Sequence, residues 1–178
     1  MKKIADFFWS LFSDLCIMIG VMLLLFNYVI LNGVVTGESM FPTLVNNQRV
    51  LADQVTYSFG EPKRFDIVAV QFPNVDNMYV KRIIGLPGEK IMYVGGNLYV
   101  NGEEVEEPFL PADVRTGNFN TLRLFPTTNG VIPENNYLVI GDNRNNSQDS
   151  RVLGTLEKEA LLGRLRISWF PLDRIGIV

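Results

Sequence analysis

The stretch "TGESMFPTL", residues 36–44, sets Ser39 between an acidic residue and a methionine, with Pro42 and Thr43 close behind. Two readings fit it. The hydroxyl can cap backbone groups in a turn, or it can be a nucleophile. In the second reading Gly37 lets the backbone approach a substrate and Pro42 stiffens the other side, giving the fixed geometry that reacting groups need. A nucleophilic serine needs a proton acceptor, and the chain contains no histidine. The usual partner is thereby excluded, which leaves a carboxylate or an amine. Glu38 is adjacent but alternates to the opposite side of an extended segment, so it is a poor base for Ser39.

Lys81, within "MYVKRIIGLPGE" (residues 78–89), is the sharper candidate. Strand alternation puts Tyr79, Lys81 and Ile83 on one face and Val80, Arg82 and Ile84 on the other. Both faces are apolar around a central cation, so one of Lys81 and Arg82 is expected to be shielded from water. Arginine keeps its proton. Lysine gives its proton up when desolvated, because burial disfavours the ammonium form. Bringing an amine from ~10.4 down to ~8 costs roughly 3 kcal/mol, which a packed domain can bear. The other reading of Lys81 is a solvated lysine on a strand face.

A third stretch, "GDNRNNSQDSR" (residues 141–151), is dense in Asp, Asn and Ser. Counted as a calcium loop from Asp142 it fails: the glycine position holds Ser147 and the bidentate glutamate position holds Leu153. Two readings remain. One is an Asx-rich turn with a local Asp149–Arg151 ion pair; the other is a polar brace for catalytic groups, with Ser147 as a partner in it. With no histidine and only Cys16, zinc, haem and iron–sulfur sites lose their ordinary ligands. No cofactor is expected.

These residues need a scaffold. From Leu15 to Leu31 the chain reads "LCIMIGVMLLLFNYVIL", uncharged, with the single amide Asn27. Extended back through Phe7, this run can span a hydrocarbon layer of ~30 Å. A cleaved signal peptide would need a small-x-small end, which "FNYVILNGVV" lacks, and a core helix of so small a domain would need a polar face toward solvent. An uncleaved anchor over residues 1–32 is expected. Lys2 and Lys3 precede the run and the next positive residue is Arg49, so the positive-inside rule puts the N-terminus in the cytoplasm and residues 33–178 outside.

Beyond Asn32, period-two runs and turn signals read as strands in "FDIVAVQFP" (65–73), "MYVKRIIG" (78–85), "KIMYVGGNLYVNGEEV" (90–105) and "NYLVIGD" (136–142). Asn101-Gly102 is a hairpin signal. "TLRLF" (121–125) is expected to be a strand, and residues 156–162 a short helix before a closing strand. The expected fold is mainly β, an antiparallel sheet domain behind one transmembrane helix. A net charge of −3 offers no basic patch for nucleic acid.

Taken together and in this order, "GESMFPTL", "FDIVAVQFP", "YVKRIIGLPGE", "GDNRNNSQDSR" and "WFPLDRIG" resemble bacterial type I signal peptidases in their short, single-anchor form. These are membrane-bound serine proteases that remove signal peptides from exported preproteins. The resemblance covers nearly the whole chain. It implies Ser39 as nucleophile and Lys81 as general base, with Ser147 orienting the lysine and Asp142, Asp149 and Arg151 supporting the site. Preproteins with small residues at the first and third positions before the cut would be the substrates. Val35, Gly37, Met40, Leu44, Tyr79 and Val80 flank the pair and are expected to line the substrate site, apolar enough to exclude larger side chains. Some longer relatives carry a hydroxyl residue two positions before the nucleophile as an oxyanion donor. Here Gly37 occupies that place, leaving the Ser39 N–H and either a Gly37 backbone group or a water. The residues 32–37 would tether the site near the bilayer, and Trp169 and Phe170 either dip into the interface or pack in the core. A monomer is expected.

Two other classes use the same residues: a membrane-anchored β domain that only binds exported peptides, and a self-cleaving Ser–Lys regulator. The regulator class is soluble and carries a DNA-reading module, unlike this acidic, apolar-tipped chain. Preprotein cleavage assays separate them. Ser39→Ala and Lys81→Ala should abolish cleavage while the domain stays folded, and Lys81→Arg should fail nearly as badly, since a guanidinium does not deprotonate. Appreciable activity in Lys81→Arg would make the cation merely structural.

Overall fold

The computed structural model describes residues 2–73, 75 and 77–178. Met1, Asn74 and Asp76 lie outside that description, as do the side chains of residues 2–5 and Asn27, and with them the Lys2–Lys3 pair used by the charge rule. Helix α1 runs from Lys2 to Val29. Its segment Asp6–Phe26 is long and apolar enough to cross a membrane, and none of it is buried against the rest of the chain. The alternative of a core helix therefore falls. The Val29 carbonyl accepts the Gln54 N–H at 2.9 Å, and the chain turns at once into strand β1, Ile30–Val34. Ile30 and Leu31, read above as part of the span, and Asn32–Val34, read as tether, are thus the edge of the sheet.

The remaining elements are β2 (Arg49–Asp53), α2 (Thr56–Phe59), β3 (Ile67–Gln71), β4 (Met78–Gly85), β5 (Ile91–Val94), β6 (Asn97–Val100), β7 (Glu103–Val105), β8 (Phe119–Asn120), β9 (Asn136–Ile140), α3 (Ser150–Leu153), β10 (Leu156–Glu157), β11 (Leu161–Phe170) and β12 (Gly176–Ile177). The larger sheet has the order β1-β2-β11-β3-β4-β9-β10, with β12 also on β11; a smaller one runs β7-β6-β5-β8. Every pairing is antiparallel. The Asn101-Gly102 turn has positive φ at both residues, 53° and 92°, as the hairpin signal requires.

Strand alternation distributes β3 and β4 among three apolar cores. Val68 and Val70 of β3 join Ile83 of β4, Val139 and Leu161 in one. Ile84 packs with Ile91, Leu98, Leu138 and Ile140 in a second, between the two sheets. Ile67 and Ala69 meet Val35, Met40, Leu44, Val50, Ala52 and Leu165 in a third. The third core matters most for chemistry, because it anchors the segment that carries Ser39.

Two expectations about local structure are corrected. Residues 121–123 form a 3₁₀ turn rather than a strand. The Asn120 side chain caps the Leu122 N–H, and the buried Thr121 hydroxyl donates to the Gly130 carbonyl at 2.5 Å. Those local bonds satisfy the backbone without a ladder. Residues 156–162 are not a helix: Leu156–Glu157 pair with β9, Lys158–Ala160 make one 3₁₀ turn, and Leu161 begins the pairing with β3. Leu156 and Leu161 are both drawn into the first core, and this tertiary pull overrides helix propensity. At the far end of β11, Trp169 is half-buried and Phe170 is exposed, and the Arg49 guanidinium lies 5.3 and 5.7 Å from their ring centroids.

Because Ile84 is fully buried between the sheets, Ile84→Ala should lower unfolding free energy by about 2–5 kcal/mol, read from chemical denaturation of the detergent-solubilised protein.

Candidate active site

The segment that carries Ser39 leaves β1 and is shaped by a left-handed glycine. Gly37 has φ +91°, a conformation that side-chain-bearing residues rarely adopt, and its N–H donates to Asn46 Oδ1 at 3.0 Å. Beyond it the chain makes two tight turns, with the Phe41 N–H donating to the Glu38 carbonyl and the Leu44 N–H to the Met40 carbonyl. Met40 and Leu44 are buried in the third core at 1% exposure each, so the turn is pinned from below while Ser39 stays partly accessible. Glu38 is exposed. The Ser39 N–H has no hydrogen-bond partner among the described residues.

Lys81 comes to this segment from β4. Its Nζ lies 2.8 Å from Ser39 Oγ and 5.3 Å from the Tyr79 ring centroid. Lys81 is wholly buried, and Arg82 beside it is 6% exposed, so both cations are shielded, not one. Their surroundings differ. Arg82 forms a bidentate pair with Asp142, at 2.9 and 2.6 Å, and is stacked 3.8 Å over the Phe109 ring. Lys81 makes no ion pair of its own among the described residues. Desolvation pushes its amine down to about 8; the Asp149 charge opposes this, Arg151 adds to it, and Asp142 opposes it.

The loop after β9 holds both partners in place. The Asn143 N–H donates to the Ser39 carbonyl at 3.0 Å, and the Asn143 side-chain amide to the Glu38 carbonyl at 3.1 Å. Asp142 also accepts the Thr43 hydroxyl at 2.5 Å, tying the Ser39 segment through Arg82 to the strand that bears Lys81. Asp149 accepts the Gly141 N–H at 3.1 Å and two bonds from Arg151 at 2.8 Å. Burial pushes the Asp149 carboxyl up, but Arg151, Ser147 and the Gly141 N–H together outweigh it and hold the group below its usual value. Ser147 Oγ is buried without a hydrogen bond of good geometry, although it is near enough to Asp149 to favour the ionised carboxylate. A methyl group on Gly141 would collide with Ser147 Oγ and with the Ser39 carbonyl oxygen. Glycine is therefore what lets the loop close over Ser39.

A cleft of 390 Å³ opens beside Ser39. Of the six residues expected to line a substrate site, Val35, Met40, Tyr79 and Val80 border it. Gly37 and Leu44 do not: the first shapes the turn and the second is core. The cleft also reaches Leu31 and Gly33 of β1, Val50 and Ala52 of β2, and Leu165 of β11. Alongside it, β9 pairs with β4 only from Arg82 onward, so residues 78–81 pair with β3 and present a free edge among the described residues.

Sequence reasoning missed four site residues. Thr43 and Asn143 act through hydrogen bonds between segments about a hundred positions apart, invisible in any local pattern. Arg82 was read as a rival to Lys81, not as the partner of Asp142. Arg144, 3% exposed, donates to the Gly141 carbonyl and to Glu107, Tyr93 and Thr116, locking the loop to the smaller sheet. The one available signal was the arginine's place inside an Asx-rich turn. The described residues contain no cluster of three or more metal-ligating side chains.

Comparison with known proteins shows the family. A family model described as "Signal peptidase, peptidase S26" matches residues 8–170. Signal peptidase I S of Bacillus subtilis (strain 168) is 37% identical over 177 residues, covering 98% of this chain and 94% of its own. Signal peptidase IB of Staphylococcus aureus (strain COL) is 39% identical over 147 residues, 77% of this chain and 76% of its own. The crystal structure of a signal peptidase I from Enterococcus faecalis V583 superposes with a TM-score of 0.51 at 34% identity, covering 59% of this chain and 97% of that one. With a family match over residues 8–170 and a 37% identical relative aligned along 94% of its own length, the chain belongs to the signal peptidase family, peptidase S26, and is a serine endopeptidase of the signal peptidase I type.

Proposed function

We propose that the protein cuts signal peptides from exported preproteins with a Ser39–Lys81 dyad. The observation that carries this reading is the 2.8 Å approach of a fully buried lysine amine to the Ser39 hydroxyl. In the resting enzyme the neutral amine accepts the Ser39 proton as Oγ attacks the scissile carbonyl carbon. The developing oxyanion takes the free Ser39 N–H. A second donor comes from solvent, since the Gly37 N–H is already given to Asn46. The Lys81 ammonium then protonates the leaving amine, the C–N bond breaks, and an acyl ester remains on Ser39. Water attacks the ester, its proton passing to Lys81 and on to Oγ as the acid leaves. Asp142, Asp149, Arg151 and Ser147 position these groups and take no proton.

The substrate lies extended against residues 78–81 of β4, adding a strand to the free edge. Its side chains enter the cleft bordered by Val35, Met40, Tyr79 and Val80, where a small residue precedes the cut. Helix α1 crosses the cell membrane once with its lysine-bearing end in the cytoplasm, which places residues 33–178 outside, next to the apolar segment of an arriving preprotein.

Two measurements test the reading. Because the lysine must be neutral to act and its proton leaves near pH 8, kcat/KM for a preprotein should rise with pH through about 8 and then level off. A rate that is flat from pH 6 to about 9 would remove Lys81 as the base. Gly141→Ala should lower kcat by ~100-fold, since displacing a reacting group by a fraction of its contact distance has that order of cost. Circular dichroism should show the fold retained.

A further inference from the structure

Two buried arginines compete for Asp142, and one connection of the smaller sheet reaches both. Arg82 lies on β4 next to Lys81, and Arg144 in the loop that holds Ser39. Arg82 takes both Asp142 oxygens, and Thr43 donates to one of them. Arg144 is served elsewhere. Its Nε donates to the Gly141 carbonyl at 3.1 Å, and its terminal nitrogens donate to Glu107 at 2.6 and 3.0 Å, to Thr116 at 2.7 Å and to Tyr93 at 2.9 Å. Burial opposes the Arg144 charge, while Glu107, Tyr93 and Asp142 favour it. Asp142 is therefore within electrostatic reach of both guanidiniums. Glu107 is the second carboxylate that lets each arginine keep its own, since a buried cation left alone is severely penalised.

Two residues further on, the Phe109 ring carries the other arginine. The Arg82 guanidinium carbon stands 3.8 Å over its centroid, within cation–π range, and Phe65 meets the same ring in a T-shaped pair with centroids 5.0 Å apart. Pro108, between Glu107 and Phe109, fixes its own φ and restricts the residue before it, so one stiff stretch makes both contacts. Through Arg144, Glu107 holds the loop whose Asn143 N–H reaches the Ser39 carbonyl. Phe109 holds the arginine beside Lys81. Neither borders the cleft, and neither is among the groups that set the Lys81 amine. We propose that Glu107-Pro108-Phe109 is a clamp, in which Glu107 and Phe109 are positioning residues that fix the spacing between Ser39 and Lys81. Without the Glu107 charge, Arg144 draws Asp142 away from Arg82 and Thr43, and the segments bearing the two groups part. This rests on the peptidase reading above and adds residues to its machinery.

The test is preprotein cleavage by the full chain in detergent, with circular dichroism to check folding. Glu107→Gln keeps the side chain's size and an accepting oxygen but removes its charge. It should lower kcat roughly 10–100-fold, the order expected when reacting groups are misplaced by about 1 Å, with KM within about threefold of wild type. Phe109→Leu removes the ring face and should lower kcat about tenfold. Phe109→Tyr keeps the face and should restore most of that loss. In Glu107→Gln and Phe109→Leu the pH limb near 8 should move upward, toward the ordinary lysine value, because parted segments admit water to the amine. Glu106→Gln, at an exposed neighbour, should change nothing. The clamp is overturned if folded Glu107→Gln and Phe109→Leu keep wild-type kcat, if the loss falls on KM alone, or if activity drops only with the unfolded fraction while the pH limb stays put. Should Glu107→Gln fail to fold, the Phe109 pair decides, and equal losses in Phe109→Leu and Phe109→Tyr overturn the clamp. A wild-type chain that leaves the preprotein uncut overturns the peptidase reading itself, and the clamp with it.

Discussion

The structure turns on removing one lysine amine from water without giving it a carboxylate to pair with. Two cations sit side by side on β4, and the protein treats them oppositely. Arg82 receives Asp142 in bidentate contact; Lys81 receives a serine hydroxyl. Had the carboxylate been placed at Lys81 instead, the ammonium would be held charged and could not serve as the base proposed above. The arrangement has a cost. An amine near 8 in the folded protein and 10.5 in the unfolded chain corresponds to about 3 kcal/mol at ~1.4 kcal/mol per unit. The sign follows from proton binding. Between about pH 8 and 10.5 the unfolded chain holds more protons, so stability rises with pH across that window and the full cost is borne below it.

Around the amine stands a polar frame in which almost every buried side-chain group among the described residues has a partner. Asp142 joins β4 to the nucleophile segment through Arg82 and Thr43. Asp149 and Arg151 hold the loop at Gly141, and Arg144 ties that loop to Tyr93 of β5 on the smaller sheet. Buried ion pairs of this kind add little net stability compared with apolar residues, but removing one partner is severe. Their value lies in geometry: Ser39 is fixed from below by Met40 and Leu44 and from the side by Asn143. The smaller sheet, remote from the dyad, takes part through Arg144.

Much of this was legible in the sequence because it is local. The β4 run 78–85 was read to the residue, since period-two alternation with flanking turn residues leaves little choice. The Ser39, Lys81 and Asx-rich stretches each left two readings open by residue type, and it was their joint resemblance to a family that brought them together. What escaped was set by distant packing. Leu156 and Leu161 looked helical until a core in another part of the fold claimed both. Leu44 looked like a cleft residue because it is apolar and near Ser39, yet the turn buries it. Thr43, Asn143 and Arg144 carry no signature of their own and gain a role only when the loop after β9 folds over the segment after β1.

The joint between helix and sheet has a mechanical consequence. Val29 ends the helix, Ile30 begins a strand, and the Gln54 N–H closes on the last helical carbonyl. A leash would let the catalytic body wander in height above the lipid; a splice of this sort makes anchor and enzyme one lever. In the orientation proposed above, the distance from hydrocarbon to hydroxyl then acts as a ruler. It measures how far along an emerging polypeptide the scissile bond must stand from the greasy segment still held in the bilayer.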